Sequence, residues 1–220
     1  MSEPAPERQI YLVRHGETEW SRSGQHTGRT DIPLTPLGKE QALDLGRRLT
    51  GHPFGLVLTS PLSRAAETAR LSGFGDAERS DDLMEWDYGE FEGRTTADIR
   101  QALPDWTIWA GPWRGGERAE QVGARVDRVL ERCLDPAVEG DSLVFAHGHV
   151  LRVLTARWLG LSPQQGALFA LGTATIGILG WERENRVIET WNEACHLDEP
   201  EPAASPESRT SQPPRYGQAW

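Results

Sequence analysis

Apolar positions along this chain repeat in two different ways. Short, mostly apolar runs at Gln9 to Val13 (QIYLV), Gly55 to Thr59 (GLVLT) and Ser142 to Ala146 (SLVFA) each end at a loop signal and read as buried strands. Between them the apolar spacing changes to three and four. Thr35-Pro36 places an N-cap before a proline at the first helical position, and Leu37, Ala42, Leu45 and Leu49 follow as an apolar face. Ser60-Pro61 repeats that start, with Leu62, Ala65, Ala66 and Ala69 behind it. Glu117 to Leu134 carries Val122, Val126, Val129, Leu130 and Cys133 on one stripe, and Val150, Leu151, Val153, Leu154 and Trp158 form another after His147-Gly148-His149. Thr173 to Trp181 and Arg186 to Trp191 predict a hairpin around Glu182-Arg183-Glu184-Asn185. Strands alternating with helices predict an α/β fold, a three-layer α/β/α sandwich with a mostly parallel mixed sheet closed by one antiparallel edge.

The pattern fades after Cys195, where Pro, Ser, Glu and Gln dominate. Such a composition buries too little apolar surface to offset its conformational entropy. The expected organisation is an N-terminal extension over 1–8, one domain over 9–195, and a disordered acidic Pro/Ser-rich tail over 196–220. No repeat of a period that would mark a solenoid or propeller is visible.

The chain has 23 Lys+Arg against 33 Asp+Glu, a net charge of −10, with 37% hydrophobic residues and no run long enough to span a bilayer. A membrane protein is excluded on that pattern. Without a Lys/Arg-rich block, nucleic acid is not an expected partner. Two cysteines, Cys133 and Cys195, are too few for a disulfide framework and lack zinc-site spacing. Cys133 reads as core filler and Cys195 as a free thiol. The acidic start lacks a signal-peptide apolar region, so a cytoplasmic location is expected. Trp158 and the apolar C-terminal hairpin could serve a homodimer interface.

Ligands of open α/β sheets bind beyond the carboxyl ends of the strands. Behind QIYLV stands Arg14-His15-Gly16-Glu17-Thr18, behind GLVLT stands Ser60-Pro61-Leu62-Ser63-Arg64, and behind SLVFA stands His147-Gly148-His149. Two arginines and up to three histidines therefore converge at one sheet edge of an acidic chain, which suits an anion. Helix N-termini would add free N–H groups, and arginine forks can hold phosphate oxygens in pairs. His15, between Arg14 and a flexible Gly16, could attack phosphorus through one ring nitrogen if the other donates to a backbone carbonyl. His147-x-His149 has the spacing of a strand metal pair, but no third ligand accompanies it, so no metal is expected.

These residues resemble the signature of the histidine phosphatase superfamily, which includes the cofactor-dependent phosphoglycerate mutases. Arg14-His15-Gly16-Glu17-Thr18 is followed in order by Thr27-Gly28 with Asp31 to Thr35, by Ser60 to Ala69, by Leu83 to Gly93, by Gly116-Glu117, and by His147-Gly148-His149. The likeness runs from about Ile10 to Trp191. It implies His15 as the phosphate-accepting nucleophile, with Arg14, Arg64 and His147 around the phosphoryl group. Glu85 matches the proton donor, which would later activate water. Asp87, Glu90 and Glu92 read as solvated loop charges. Thr27 and Gly28 would contact phosphate through hydroxyl and N–H, and Ser21, where mutases carry Asn, would join Tyr88 and Gly148 in binding substrate. The implied mechanism needs no cofactor.

Departures from the mutase pattern narrow the reading. Trp86-Asp87 replaces an Arg-His pair, Thr96 stands where Lys is expected, and an insertion with two arginines is replaced by a stretch holding Trp106, Trp109 and Trp113. These tryptophans read either as an aromatic lid or as packing. The segments Trp20 to Leu37, Leu83 to Gly93 and Ala146 to Gly160 are similar to broad-specificity acid phosphatases and to sedoheptulose-bisphosphatase-like members. The expectation is a metal-independent phosphomonoesterase acting on a small phosphorylated metabolite. A phosphoglycerate mutase, a protein phosphohistidine phosphatase and a non-catalytic phospho-ligand binding module are the alternatives.

Overall fold

The period-two pattern of β1 (Ile10–Arg14) sends Ile10 and Leu12 to one face of a sheet and Tyr11 and Val13 to the other. In the computed structural model, which describes residues 8–197, β1 lies inside a six-stranded sheet of order β3-β2-β4-β1-β5-β6. It runs parallel to β4 (Asp141–Ala146) and antiparallel to β5 (Ile176–Glu182). β2 (Phe54–Thr59) and the two-residue β3 (Glu78–Arg79) continue the parallel half, and β6 (Asn185–Glu193) pairs antiparallel with β5 as the outer edge. This is the mixed sheet with one antiparallel edge that the pattern predicts.

Helices cover both faces. α2 (Pro36–Leu49) and α3 (Ser63–Leu71) bring Leu45, Leu49 and Ala69 against Val13, Leu143, Phe145 and Ile176. α5 (Ala119–Cys133) and α6 (Gly148–Trp158) bring Val122, Val126, Val129, Leu151 and Leu154 against Ile10, Leu12, Val144 and Leu179. The short helices α1 (Glu19–Ser23) and α4 (Thr96–Arg100) lie in the connecting loops. Cys133 is buried and Cys195 exposed, both as free thiols. Among the described residues no helix is long and apolar enough to cross a membrane.

Several expectations need correction. α2 begins as expected, with the Thr35 hydroxyl accepting the Gly38 N–H at 3.0 Å, but Leu37 is 48% exposed and Gly38 faces the body in its place. α3 begins at Ser63, because Ser60 ends the β2 turn and its hydroxyl is used elsewhere. Trp158 is fully buried and its indole donates to the Val187 carbonyl at 3.0 Å, so it offers nothing to an interface. Trp106 and Trp113 pack: their indoles donate to the carbonyls of Pro112 at 3.1 Å and Ile108 at 2.6 Å. Cys195–Leu197 form a short turn with Leu197 against the core, so the domain reaches past 195. The remainder of the expected disordered tail, and residues 1–7 of the extension, lie outside the described residues.

One close approach fixes the entry to the site. A Cβ at Gly38 would fall 2.1 Å from the Glu17 carbonyl oxygen, and one at Gly16 would fall 2.3 Å from that of Gly38. Backbone meets backbone there, so Gly16 is a contact glycine rather than a flexible one. Helix propensity alone would make Gly38→Ala stabilising by about 1 kcal/mol. We expect the reverse, a loss of about 1–3 kcal/mol from overpacking against rigid backbone, read as a lower urea midpoint; an unchanged or higher midpoint would refute the contact.

Candidate active site

Parallel pairing of β1 with β4 sets Arg14 beside Ala146, so the next residue of each strand, His15 and His147, stand side by side. Their rings lie 5.2 Å apart. β2 is parallel to β4 on its other side, and the Ser60 N–H donates to the Phe145 carbonyl at 2.9 Å, which brings Ser60 next to His147. Three strand ends thus meet, as the sequence predicts.

His15 is buried, and its Nδ1 lies 2.7 Å from the Gly16 carbonyl oxygen. A carbonyl only accepts, so Nδ1 carries the proton and Nε2 keeps its lone pair. Burial first, and the Arg64 and Arg14 charges next, hold this imidazole well below its ordinary value. It is therefore neutral and has the tautomer a nucleophile needs.

His147, expected beside a phosphoryl group, is held through both ring nitrogens. Its Nδ1 accepts from Arg64 Nε at 3.1 Å, which makes Nε2 the protonated nitrogen, and Nε2 donates to Ser60 Oγ at 2.8 Å. Both nitrogens are committed, so His147 braces Arg64. Arg64 is itself fully buried, and its other donors reach the carbonyls of Thr30 (3.0 Å), Thr27 (3.1 Å) and Gly28 (2.9 Å). Arg14 is the contrasting case. One terminal nitrogen donates to the Leu171 carbonyl at 2.5 Å, while its buried Nε has no partner among the described residues. Its guanidinium lies against the start of α6, where a Cβ at Gly148 would come within van der Waals contact of Arg14 Cζ, at 3.4 Å.

Glu85 is buried at the N-terminus of α6. Its Oε1 accepts the N–H groups of Trp86 and Val150, both at 2.9 Å, and its Oε2 accepts that of His149 at 3.0 Å. Oε2, with one partner, retains a free lone pair. The helix end that was expected to greet a phosphate is thus capped by the protein's own carboxylate. α3 repeats this, because Asp31 accepts the Ser63 N–H at 2.8 Å.

A cleft of about 170 Å³ is lined by Arg14, His15, Glu85, Gly148 and Arg152, with Ser21, Thr27 and Tyr88 on its wall. Ser21 lines it, but its hydroxyl is tied to the Thr18 N–H and carbonyl, both at 2.9 Å, in the cap of α1. The Gly28 N–H is also unavailable, because it donates to Glu92 Oε1 at 2.8 Å. Glu92 accepts the Thr30 N–H as well, at 3.1 Å, so it is a clamp on the loop that holds Arg64 rather than a solvated charge. Asp87 caps the Gly89 N–H at 2.9 Å.

Sequence reasoning missed His26 and Arg152 and left His149 without a role. Tyr88 is buried, burial pushes its phenol well above the ordinary value, and its hydroxyl lies 2.7 Å from His149 Nδ1. With no other partner for that O–H among the described residues, Tyr88 donates and His149 keeps its proton on Nε2. His26 stacks on Tyr88 at 4.7 Å between ring centroids, and burial lowers its imidazole to about 4. Trp109 packs on His149 at 5.2 Å and carries Arg152 over its ring at 4.6 Å, so it backs two residues of the cleft wall without lining the cleft itself. The signal for Arg152 was its spacing, four residues after Gly148 on α6. Among the described residues no group of three or more His, Cys, Asp or Glu side chains is placed to hold a metal ion.

The family model of the histidine phosphatase superfamily (branch 1) matches residues 10–194. An acid phosphatase of Mycobacterium tuberculosis is 39% identical over 199 residues, covering 89% of this chain and 96% of its own. A sedoheptulose 1,7-bisphosphatase of Saccharomyces cerevisiae is 38% identical over 185 residues, 70% of this chain and 68% of its own. Among solved structures, the product of a Mycobacterium tuberculosis open reading frame aligns with a TM-score of 0.81 at 38% identity, over 84% of this chain and 97% of that one.

The buried histidines make stability depend on pH in a definite direction. His15, His26, His147 and His149 all titrate below their ordinary value, His26 at about 4, chiefly because of burial. In the unfolded chain each takes up a proton near pH 6.5, so the unfolded state binds more protons and stability falls as pH drops below that point. We expect the thermal midpoint to fall steadily from pH 7 to pH 5 at constant ionic strength, before ordinary carboxylates titrate. A midpoint that stays level across this window would show that these rings are not held neutral.

Proposed function

The chain belongs to the histidine phosphatase superfamily and is a phosphatase, and we propose that it hydrolyses small phosphomonoesters, sugar phosphates among them, through a phosphohistidine on His15 and without a divalent metal. The observation that carries this reading is the fixed tautomer of His15, which leaves Nε2 unprotonated in the same cleft as the unpartnered Arg14 Nε and the Glu85 carboxyl.

The chemistry follows from those positions. The phosphoryl group of the ester sits against Arg14, whose free N–H takes one oxygen and whose charge offsets that developing in transfer. Nε2 of His15 forms a bond to phosphorus as the ester P–O bond breaks. Glu85 enters this step in its acid form, with the proton on Oε2, the oxygen that has only one N–H partner, and gives it to the departing oxygen, which leaves as an alcohol. A water then attacks the phosphohistidine, Glu85 takes the water's proton, and the N–P bond breaks to release inorganic phosphate. Arg64 acts at one remove, through His147 and the 27–30 loop and through its charge on His15. The cations supply the electrostatic stabilisation a metal would otherwise give.

Hydrolysis is favoured over mutase chemistry by the fate of Trp86 and Asp87. The Trp86 indole is buried and donates to the Glu117 carbonyl at 2.8 Å, and the Asp87 carboxylate caps Gly89. Neither can hold a second acidic group of a phosphoglycerate. The similarity to an acid phosphatase and a sugar bisphosphatase supports the same substrate class.

The test is phosphate release from p-nitrophenyl phosphate and a panel of sugar phosphates with EDTA present, alongside 3-phosphoglycerate with and without 2,3-bisphosphoglycerate. The wild type should release phosphate in EDTA, His15→Ala should fall to background, and Glu85→Gln should lose about 10²–10⁴-fold in kcat. Acid-labile, base-stable label should remain on the wild-type protein after a quench with ³²P-labelled substrate. Loss of activity in EDTA would overturn the metal-free reading, and isomerisation in place of release would establish a mutase. A His15→Ala protein that still binds phosphate esters and keeps its cellular effect would mark a binding module.

A further inference from the structure

A second cavity, larger than the catalytic cleft, lies elsewhere among the described residues. About 400 Å³ opens on the other side of the segments that hold Arg64, between the 33–34 loop, the first turn of α2, α3, and the 74–79 segment leading into β3. Its floor is apolar, from Leu34, Ala69, Phe74 and Ala77. Phe74 is fixed by edge and tilted contacts with Phe54 and Phe145, at 5.8 and 5.7 Å between centroids, so the floor is a preformed wall. The rim is cationic. Glu67, its one carboxylate, is closed by a two-pronged pair with Arg70, both bonds 2.8 Å. The side chains of Lys39 and Arg79 make no hydrogen bond or ion pair among the described residues, in a chain whose net charge is −10.

We propose that this cavity is a second ligand site, for a small amphipathic anion whose apolar body rests on Leu34, Ala69 and Phe74 and whose single carboxylate, sulfonate or phosphate is taken by Lys39 and Arg79. Concave apolar sites with a few converging charged groups are the form small-molecule sites take. Glu67 feels the Lys39 charge but spends both oxygens on Arg70, which leaves the donors of Lys39 and Arg79 available to a ligand. The walls also tie the site to the catalytic cleft. Thr59 precedes Ser60, the partner of His147, and Ser63 precedes Arg64. Lys39 follows Gly38, whose backbone abuts Gly16. A ligand seated here presses on the outer side of the residues that brace His15 and Arg64, so its occupancy should alter turnover as well as stability. The site does not rest on the hydrolytic reading, because its binding is measured without substrate.

The probe is 8-anilinonaphthalene-1-sulfonate, titrated into the full chain by fluorescence. One saturable site per chain is expected, and N-phenyl-1-naphthylamine, which lacks the sulfonate, should bind at least tenfold more weakly. Lys39→Glu with Arg79→Glu, both exposed and outside the catalytic machinery, should weaken the sulfonate at least tenfold while the thermal midpoint stays near that of the wild type. Ala66→Trp should block the cavity. Equal affinity of the charge-reversed protein, equal affinity for the neutral dye, or no saturable binding would each overturn the proposal.

Discussion

Arg64 holds a permanent positive charge where no water reaches, and much of the site is arranged around that fact. Burying a guanidinium costs several kcal/mol unless its donors are matched. The matching comes from the carbonyls of Thr27, Gly28 and Thr30 and from the Nδ1 of His147. Each partner carries a further constraint. The 27–30 loop must stay near α3, and Glu92 holds it there from the far side. His147 must accept on Nδ1, which obliges Nε2 to donate, and Ser60 stands at the end of β2 to receive it. The same charge discourages protonation of His15. A single interior cation thereby sets a loop position and the tautomer of His147, and lowers the basicity of neighbouring His15.

The helix ends carry the second organising idea. Oriented N–H groups at α3 and α6 are filled by Asp31 and Glu85, carboxylates of this chain, rather than left open to an incoming anion. Arg14 is the complementary exception, with a buried donor that has no partner among the described residues. The cleft thus sets an unengaged guanidinium donor opposite a carboxyl that the N-terminus of α6 holds in place.

The fold and the residues of chemistry were largely legible in the sequence because both rest on local signals. Short apolar runs mark β1, β2 and β4, three of the four parallel strands, and the residue just past each had to lie at one sheet edge. What escaped was ambiguous at short range. Ser60-Pro61 carries the letters of a helix start, yet Ser60 is held by His147 from another strand, and no local pattern reveals that. Leu37 fits an apolar stripe, but the contact between Gly38 and Glu17 excludes a side chain there and turns Leu37 outward. Gly28 and Ser21 are where the family pattern places them, with their polar groups already engaged by Glu92 and Thr18. Arg152 and His26 enter the cleft through tertiary packing on Trp109 and Tyr88, a relation invisible to spacing along the chain.

The strand order also bears on how this protein comes into being. β1, which carries Arg14 toward His15, has β4 on one side and β5 on the other: Ile10 sits across from Ser142 and Leu179. Nothing made early in translation can hydrogen-bond to that strand within the sheet. At 5–20 residues per second the ribosome needs on the order of 10 s between adding Ile10 and adding Ser142, and the loop then closed is a long one. The residues of β1 must wait, without their sheet partners, for a strand synthesised about 130 residues later. The catalytic edge cannot exist on a half-finished chain, and a nascent protein of this design depends on keeping its opening strand from pairing with a neighbour while it waits.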